Sequence, residues 1–257
     1  VETLDAVEEG MAEIAAQIDE AASLAVVGGG ATGVSVAANL ARRHPAKDIH
    51  LSYGQDEPLP GYHPEVRRHI VRDLERAGVH LHPGHRAVVP EGFRADRLTT
   101  DPVEWSTGQA PFRAERTLWA VGDVRPNTDF LPPDMLDERG FVKVDEHLRV
   151  PGHPNVFAVG DVAASDPNRS SARNWGYLLV AHNVRRLLRG RTDRMRRYSA
   201  PPHRWGSVLG LQDDGMVVFQ PDGRSFRVPR WAVQPLLFRF YMHVLMYGGL
   251  RDRATAR

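Results

Sequence analysis

At 257 residues, 42% hydrophobic and 25% charged, the chain has ordinary globular composition and length enough for one or two cores. Its net charge of +1 supplies no general drive toward nucleic acid, and the lack of cysteine excludes disulfides, thiolate metal sites and a redox-active cysteine pair within these residues. Redox chemistry here would therefore run through a bound cofactor. The acidic stretch Val1-Glu2-Thr3-Leu4-Asp5 has neither the basic nor the apolar region of a signal peptide, so the expected location is the cytoplasm.

Leu4, Val7, Met11, Ile14, Ala15 and Ile18 recur at helical spacing among acids, which predicts an amphipathic helix from about Thr3 to Ala22. An apolar strand at Leu24–Val27 then runs into a glycine turn and an alanine-rich helix through Ala41. Asp48 to Tyr53 reads as a second strand, Pro64 to Ala77 as a second helix and Val79 to His82 as a third strand. This β-α-β-α-β order is the mononucleotide-binding half of a Rossmann sheet, and the class is α/β. A hairpin-rich stretch follows through Trp105 and Phe112, then a strand from Arg116 to Gly122. Short strands are expected at Phe141–Val144, Leu148–Val150 and Asn155–Asp161, and a long helix from Ser171 to Arg189. The tail shows glycine-bounded strands at Ser207–Leu211 and Met216–Gln220 and an apolar helix near Trp231–Tyr247.

The turn after the first strand is Gly28-Gly29-Gly30-Ala31-Thr32-Gly33. Gly28 permits the tight turn, Gly30 lets a pyrophosphate approach the backbone, and Gly33 lets the helix pack on the strand. The helix N-terminus then aims its free N–H groups, with Gly29, Ala31 and Thr32 beside them, at phosphate. An acid about 20 residues past such a turn marks NAD through its ribose hydroxyls. That position is Tyr53, with Asp56 and Glu57 just beyond, so NAD and NADP both stay open.

Three motifs in this order resemble the two-dinucleotide-binding-domain flavoproteins of the pyridine nucleotide-disulfide oxidoreductase superfamily. They are the glycine turn, Trp119-Ala120-Val121-Gly122 with Arg125-Pro126-Asn127, and Val156-Phe157-Ala158-Val159-Gly160-Asp161. Within that superfamily the chain resembles the apoptosis-inducing-factor-like and type II NADH dehydrogenase group, which takes in ferroptosis suppressor protein. The resemblance implies a three-layer Rossmann-like nicotinamide domain over residues 23–135, preceded by a helix over 1–22 from the end of a first FAD segment. It further implies a partial FAD domain over 136–200 and a small α+β C-terminal module over 201–257. Gly122 falls at the domain junction. Gly160 and Asp161 would hold FAD, the aspartate accepting from the ribityl hydroxyls, and the helix from Ser171 would face the flavin with Ala172, Trp175 and Gly176 nearest. Trp175 reads equally well as a core aromatic. Relatives commonly carry a glutamate two positions past the third glycine, where this chain has Ser35. No second GxGxxG precedes Val1, so the sequence reads as a piece of a longer enzyme.

The implied activity is hydride transfer from NAD(P)H to FAD and on to a quinone or similar small acceptor, with no catalytic side chain required. A second reading, from the missing first GxGxxG, is a non-catalytic NAD(P)-binding redox sensor without flavin. His63, His69, His80, His82 and His85 lie close in sequence, but the residues around them favour ordinary histidines over a metal site. Arg185, Arg186, Arg189, Arg191, Arg194, Arg196 and Arg197 form a basic run, read as a solvated face with anionic lipid as the alternative and nucleic acid as no partner. The C-terminal apolar helix, flanked by Arg230 and Arg251, is too short and too charged to span a bilayer. Peripheral membrane docking, packing on the flavin domain and a homodimer contact all stay open for it.

Overall fold

The computed structural model of the chain describes residues 3–94, 96–122 and 126–246. The described residues form two compact units, one within 1–121 and 205–257 and the other within 122–204.

In the first unit, α1 (Leu4–Glu20) starts at Thr3, whose side chain accepts from the Ala6 N–H. None of its residues is buried. The alternation then tightens into β1 (Ser23–Val27), α2 (Ala31–Arg43), β2 (Asp48–Ser52), α3 (Pro64–Arg76), β3 (Val79–His82) and β4 (Arg116–Trp119). The four strands are parallel in the order β3-β2-β1-β4, with Val26 level with Leu51 on one side and Leu118 on the other. Strand β1 is buried along Leu24–Val27, as a central strand covered on both faces must be. α2 lays Val34, Ala37, Ala38 and Ala41 on the sheet, and α3 adds Val66, Ile70 and Leu74 at helical spacing. Each fully buried Val, Leu or Ile contributes about 1.5–3 kcal/mol, so this stripe stabilises the unit substantially.

The segment from 205 onward, which the sequence sets apart as a module, packs on this sheet unit. Val208, Leu209 and Phe219 belong to the same buried cluster as α2 and α3, and Asn39 donates to Leu209 O at 3.1 Å. The second unit begins at Gly122 rather than after residue 135, and residues 128 and 137 bond with Gly140 and Phe141. Thr128 Oγ1 donates to Gly140 O at 2.6 Å, and Asp137 accepts from the Phe141 N–H at 2.8 Å.

The short strands expected between 141 and 161 appear as isolated bridges, Val142 with Ala163 and Arg149 with Phe157. Local geometry prevents longer ladders: Asp145 Oδ1 accepts from the His147 and Arg149 N–H groups, and Leu148 stands at φ 59°. The hairpin-rich stretch likewise shows single bridges, Ala87 with Trp105 and Val103 with Phe112. Met135, Val142 and Val150 form the small core of this second unit.

Helix α4 (Gly176–Leu188) starts five residues later than expected, because Trp175 adopts φ 63° in the left-handed region and ends the preceding turn. Back in the first unit, β5 (Leu211–Gln212), β6 (Gly215–Phe219) and β7 (Ser225–Val228) form an antiparallel sheet, its first strand far shorter than the apolar run suggests. The tail continues through α5 (Arg230–Ala232) into a π-helical segment, Val233–Met246, in which Pro235 has no N–H to donate to a regular α ladder. Asp123, Arg125, Tyr247 and Arg251 lie outside the described residues. No helix among the described residues is long and apolar enough to cross a membrane.

Candidate functional site

The glycine turn follows β1 directly. Gly28 stands at φ 130°, and its N–H donates to Ser52 O at 2.9 Å. A Cβ at Gly28 would collide with Ala120 O, which stays close because the Ala120 N–H donates to Val27 O at 2.8 Å. Gly33, on the buried face of α2, abuts the Gly28 carbonyl, so any side chain there would push the helix off the strand. Gly29 is covered by Tyr53, whose Cβ lies 2.6 Å from where a Gly29 side chain would begin, and Gly29 O accepts from Leu59 N at 2.7 Å.

Gly30 differs. It is exposed, has ordinary extended backbone at φ −75°, and nothing stands within 4 Å of where its side chain would be. It caps α2 without a side-chain hydrogen bond, and the first turn of α2 carries no acid, so the N–H groups of Ala31, Thr32 and Gly33 have no side-chain cap. The result is an exposed backbone surface with positive partial charge, open above Gly30.

Tyr53 packs under Gly29 and also lines the pocket at this strand end. It is 4% exposed, pointing into the core under Gly29, and burial, with Glu57 and Glu75 next in effect, raises the pKa of its phenol. The carboxylates nearest this strand end are Asp56, exposed, and Glu57, paired with Arg67 at 3.3 Å. Both line an open pocket of about 490 Å³ with Arg68, Arg72 and Glu75. Ser35 lies in the second turn of α2, its carbonyl accepting from Asn39 Nδ2 at 2.7 Å.

In the second unit the structure brings Gly160, Ala172 and Gly176 together. Gly160, at φ 90°, donates its N–H to Ser171 Oγ at 2.9 Å, and a Cβ there would touch Ala172 Cβ at 3.4 Å. Ser171 is fully buried, and its carbonyl accepts from the Gly176 N–H at 2.7 Å. One serine thus ties the Gly160 turn to the start of α4. Sequence reasoning read it only as the first residue of a helix; a serine just before a helical pattern was the available signal. Asp161 follows Gly160 as an exposed carboxylate with no hydrogen-bond or ion-pair partner among the described residues. Trp175 is 40% exposed, so the core-aromatic alternative does not hold. Gly122, at φ 139°, opens this unit with no neighbour within 4 Å of an added side chain.

The histidines have structural duties. His63 Nδ1 accepts from the Glu65 N–H at the start of α3, and His69 pairs with Asp73 at 3.4 Å. His80 and His82 share one face of β3 with His50 of β2, and His50 Nδ1 and His82 Nε2 share a hydrogen bond of 2.9 Å. Burial, then the neighbouring His82 and His80, pushes His50 down to about 4, and burial also lowers His82. The described residues hold no group of three or more ligating side chains able to hold a metal.

Comparison with known proteins extends this picture. The chain is 24% identical to "Apoptosis-inducing factor homolog B" of Dictyostelium discoideum over 229 residues, 80% of this chain and 58% of that protein. It is 29% identical to "Ferroptosis suppressor protein 1" of Homo sapiens over 154 residues, 57% of this chain and 40% of that protein. The chain thus spans about half the length of the curated relatives it matches. Among solved structures, reduced CoADR-RHD of Bacillus anthracis shares the fold with a TM-score of 0.54 at 19% identity, covering 85% of this chain and 37% of that one. Residues 2–183 match the family of pyridine nucleotide-disulphide oxidoreductases, and the chain, Rossmann-like in fold with a glycine turn between β1 and α2, belongs to that family.

Proposed function

We propose that the chain is part of an FAD-dependent NAD(P)H oxidoreductase that passes electrons from NAD(P)H through FAD to a quinone or similar small acceptor. The observation that carries this reading is the open position at Gly30 above the uncapped N-terminus of α2, in a turn whose other glycines are packed shut. The N–H groups of Ala31, Thr32 and Gly33 would donate to a dinucleotide pyrophosphate, and Tyr53 would hold Gly29 in register from below. The pocket beside Asp56 and Glu57 would take the ribose end. On the second unit, Asp161 has no partner among the described residues and is an acceptor suited to ribityl hydroxyls, while the N-terminus of α4 places a positive partial charge near Ala172, Trp175 and Gly176.

Bound NAD(P)H and FAD supply hydride and electron transfer between themselves, so the chain's residues need only bind and orient. Lack of cysteine among these residues favours an acceptor that takes electrons without a protein dithiol. Calorimetric titration of the purified protein with NADH and, separately, with FAD tests the reading. Gly30→Ala should weaken NADH binding and Asp161→Ala should weaken FAD binding; a protein that binds NADH but never FAD belongs to the non-catalytic class instead.

A further inference from the structure

The end of α4 and the chain after it carry Arg185, Arg186, Arg189, Arg191, Arg194, Arg196 and Arg197 against one acid, Asp193, in a protein of net charge +1. A helix C-terminus is satisfied by one or two bases in its last turn, here Arg185 and Arg186, so the remaining five exceed what the dipole explains. Arg194 meets Asp193 at 3.8 Å and Arg197 meets Glu146 at 3.3 Å, both exposed pairs of little strength. Arg185, Arg189, Arg191 and Arg196 have no ion-pair partner among the described residues.

These charges stand on a fixed surface. Asn183, fully buried, donates to His147 O at 3.1 Å and Arg196 O at 2.9 Å and accepts from the Arg196 N–H at 2.8 Å. The Tyr198 N–H donates to Glu146 O at 2.6 Å, and the Arg191 N–H donates to Arg186 O at 2.9 Å, so the segment after α4 is held against the helix and the 145–147 turn. In the middle of the arginines stands Leu188, 80% exposed. No Phe, Tyr or Trp occurs between 182 and 197 to stack on a base.

We propose that this corner of the 122–204 unit docks on an anionic lipid surface, its guanidinium groups taking headgroup phosphates while Leu188 enters the boundary of the acyl region. Exposed arginines flanking one exposed apolar side chain along the chain match a bilayer, which offers negative charge above hydrocarbon, whereas a nucleic acid has no use for Leu188. The inference is independent of the cofactor reading, because vesicle binding is measured without nucleotides.

The test is co-sedimentation of the purified protein with vesicles of phosphatidylcholine alone and of phosphatidylcholine mixed with phosphatidylglycerol. Salt-sensitive binding to the mixed vesicles only is expected. An Arg185→Gln, Arg189→Gln, Arg191→Gln variant should lower partitioning on the order of a hundredfold, at about fivefold for each arginine near the surface. Leu188→Gln should weaken binding without changing its salt dependence. Unchanged melting temperatures for both variants exclude loss of folding, and since every altered side chain is exposed, both should fold. Equal binding to neutral vesicles, no binding to either, undiminished binding of the triple variant, or a preference for duplex DNA over mixed vesicles would each overturn the proposal.

Discussion

The buried Ser171 hydroxyl accepts the backbone N–H of Gly160 at 2.9 Å, joining the turn that presents Asp161 to the residues that start α4. Ser171→Ala leaves that N–H without a partner in a buried setting, which costs about 1–3 kcal/mol. Melting temperature should fall accordingly. Ser171→Thr, which keeps the hydroxyl, should recover most of the lost hydrogen bond, and a serine variant with unchanged stability would remove this link from the account.

Gly30 and Gly33 should separate binding from folding. Gly33→Ala drives a methyl into the Gly28 carbonyl and should destabilise the protein by about 1–3 kcal/mol through forced movement of α2. Gly30→Ala meets open space and ordinary backbone, so its stability should stay within about 0.5 kcal/mol of the parent. Its affinity for NADH should nonetheless fall about tenfold or more, the size of a 1–2 kcal/mol steric loss. Denaturant unfolding and NADH titration on both variants check the contrast, and Gly30→Ala with parental NADH affinity would count against the cradle.

Much of this was legible in the sequence. Strand β3 and helix α3 were readable because their signals agree: apolar residues at strand or helical period, Pro64 opening the helix, and Gly78 at φ 82° ending its turn. The strands expected between 141 and 161 failed because side-chain bonds from Asp145 outcompete ladder formation, which composition does not reveal. Strand β7 is not legible in the sequence because its Phe226 and Arg227 are both exposed and carry no alternation; only the Pro221-Asp222-Gly223 turn before it is suggestive. In the candidate site, the glycine roles follow from spacing, whereas the part played by Ser171 depends on its contact with the Gly160 N–H, which no local spacing announces.

Asp161→Ala should leave stability unchanged, since the carboxylate has no partner to lose among the described residues. FAD affinity should fall about ten- to a hundredfold, the loss of charge-assisted hydrogen bonds of about 1.5–3 kcal/mol. Flavin retention on gel filtration, compared with Asp161→Asn, measures it.

His50 makes stability depend on pH. Its folded pKa is about 4 against 6.5 for an unperturbed histidine, so below pH 6.5 the unfolded chain takes up the proton first. Stability is therefore full above pH 6.5 and is lost as pH falls toward 4, a direction His82 shares. The loss should be about 1–2 kcal/mol, less than the full shift implies, because the ring is only half-buried and solvent screens it. His50→Phe, which keeps a neutral ring against Phe112, should flatten the dependence of melting temperature on pH between neutrality and pH 5.

The central claim, that two nucleotide cofactors meet on this protein, is tested most directly by incubating it with FAD, removing unbound flavin and adding NADH without oxygen while following the visible flavin absorbance. We expect a yellow protein whose colour bleaches with NADH and returns with a quinone. A protein that keeps no flavin, or one whose bound flavin ignores NADH and NADPH alike, would contradict the account.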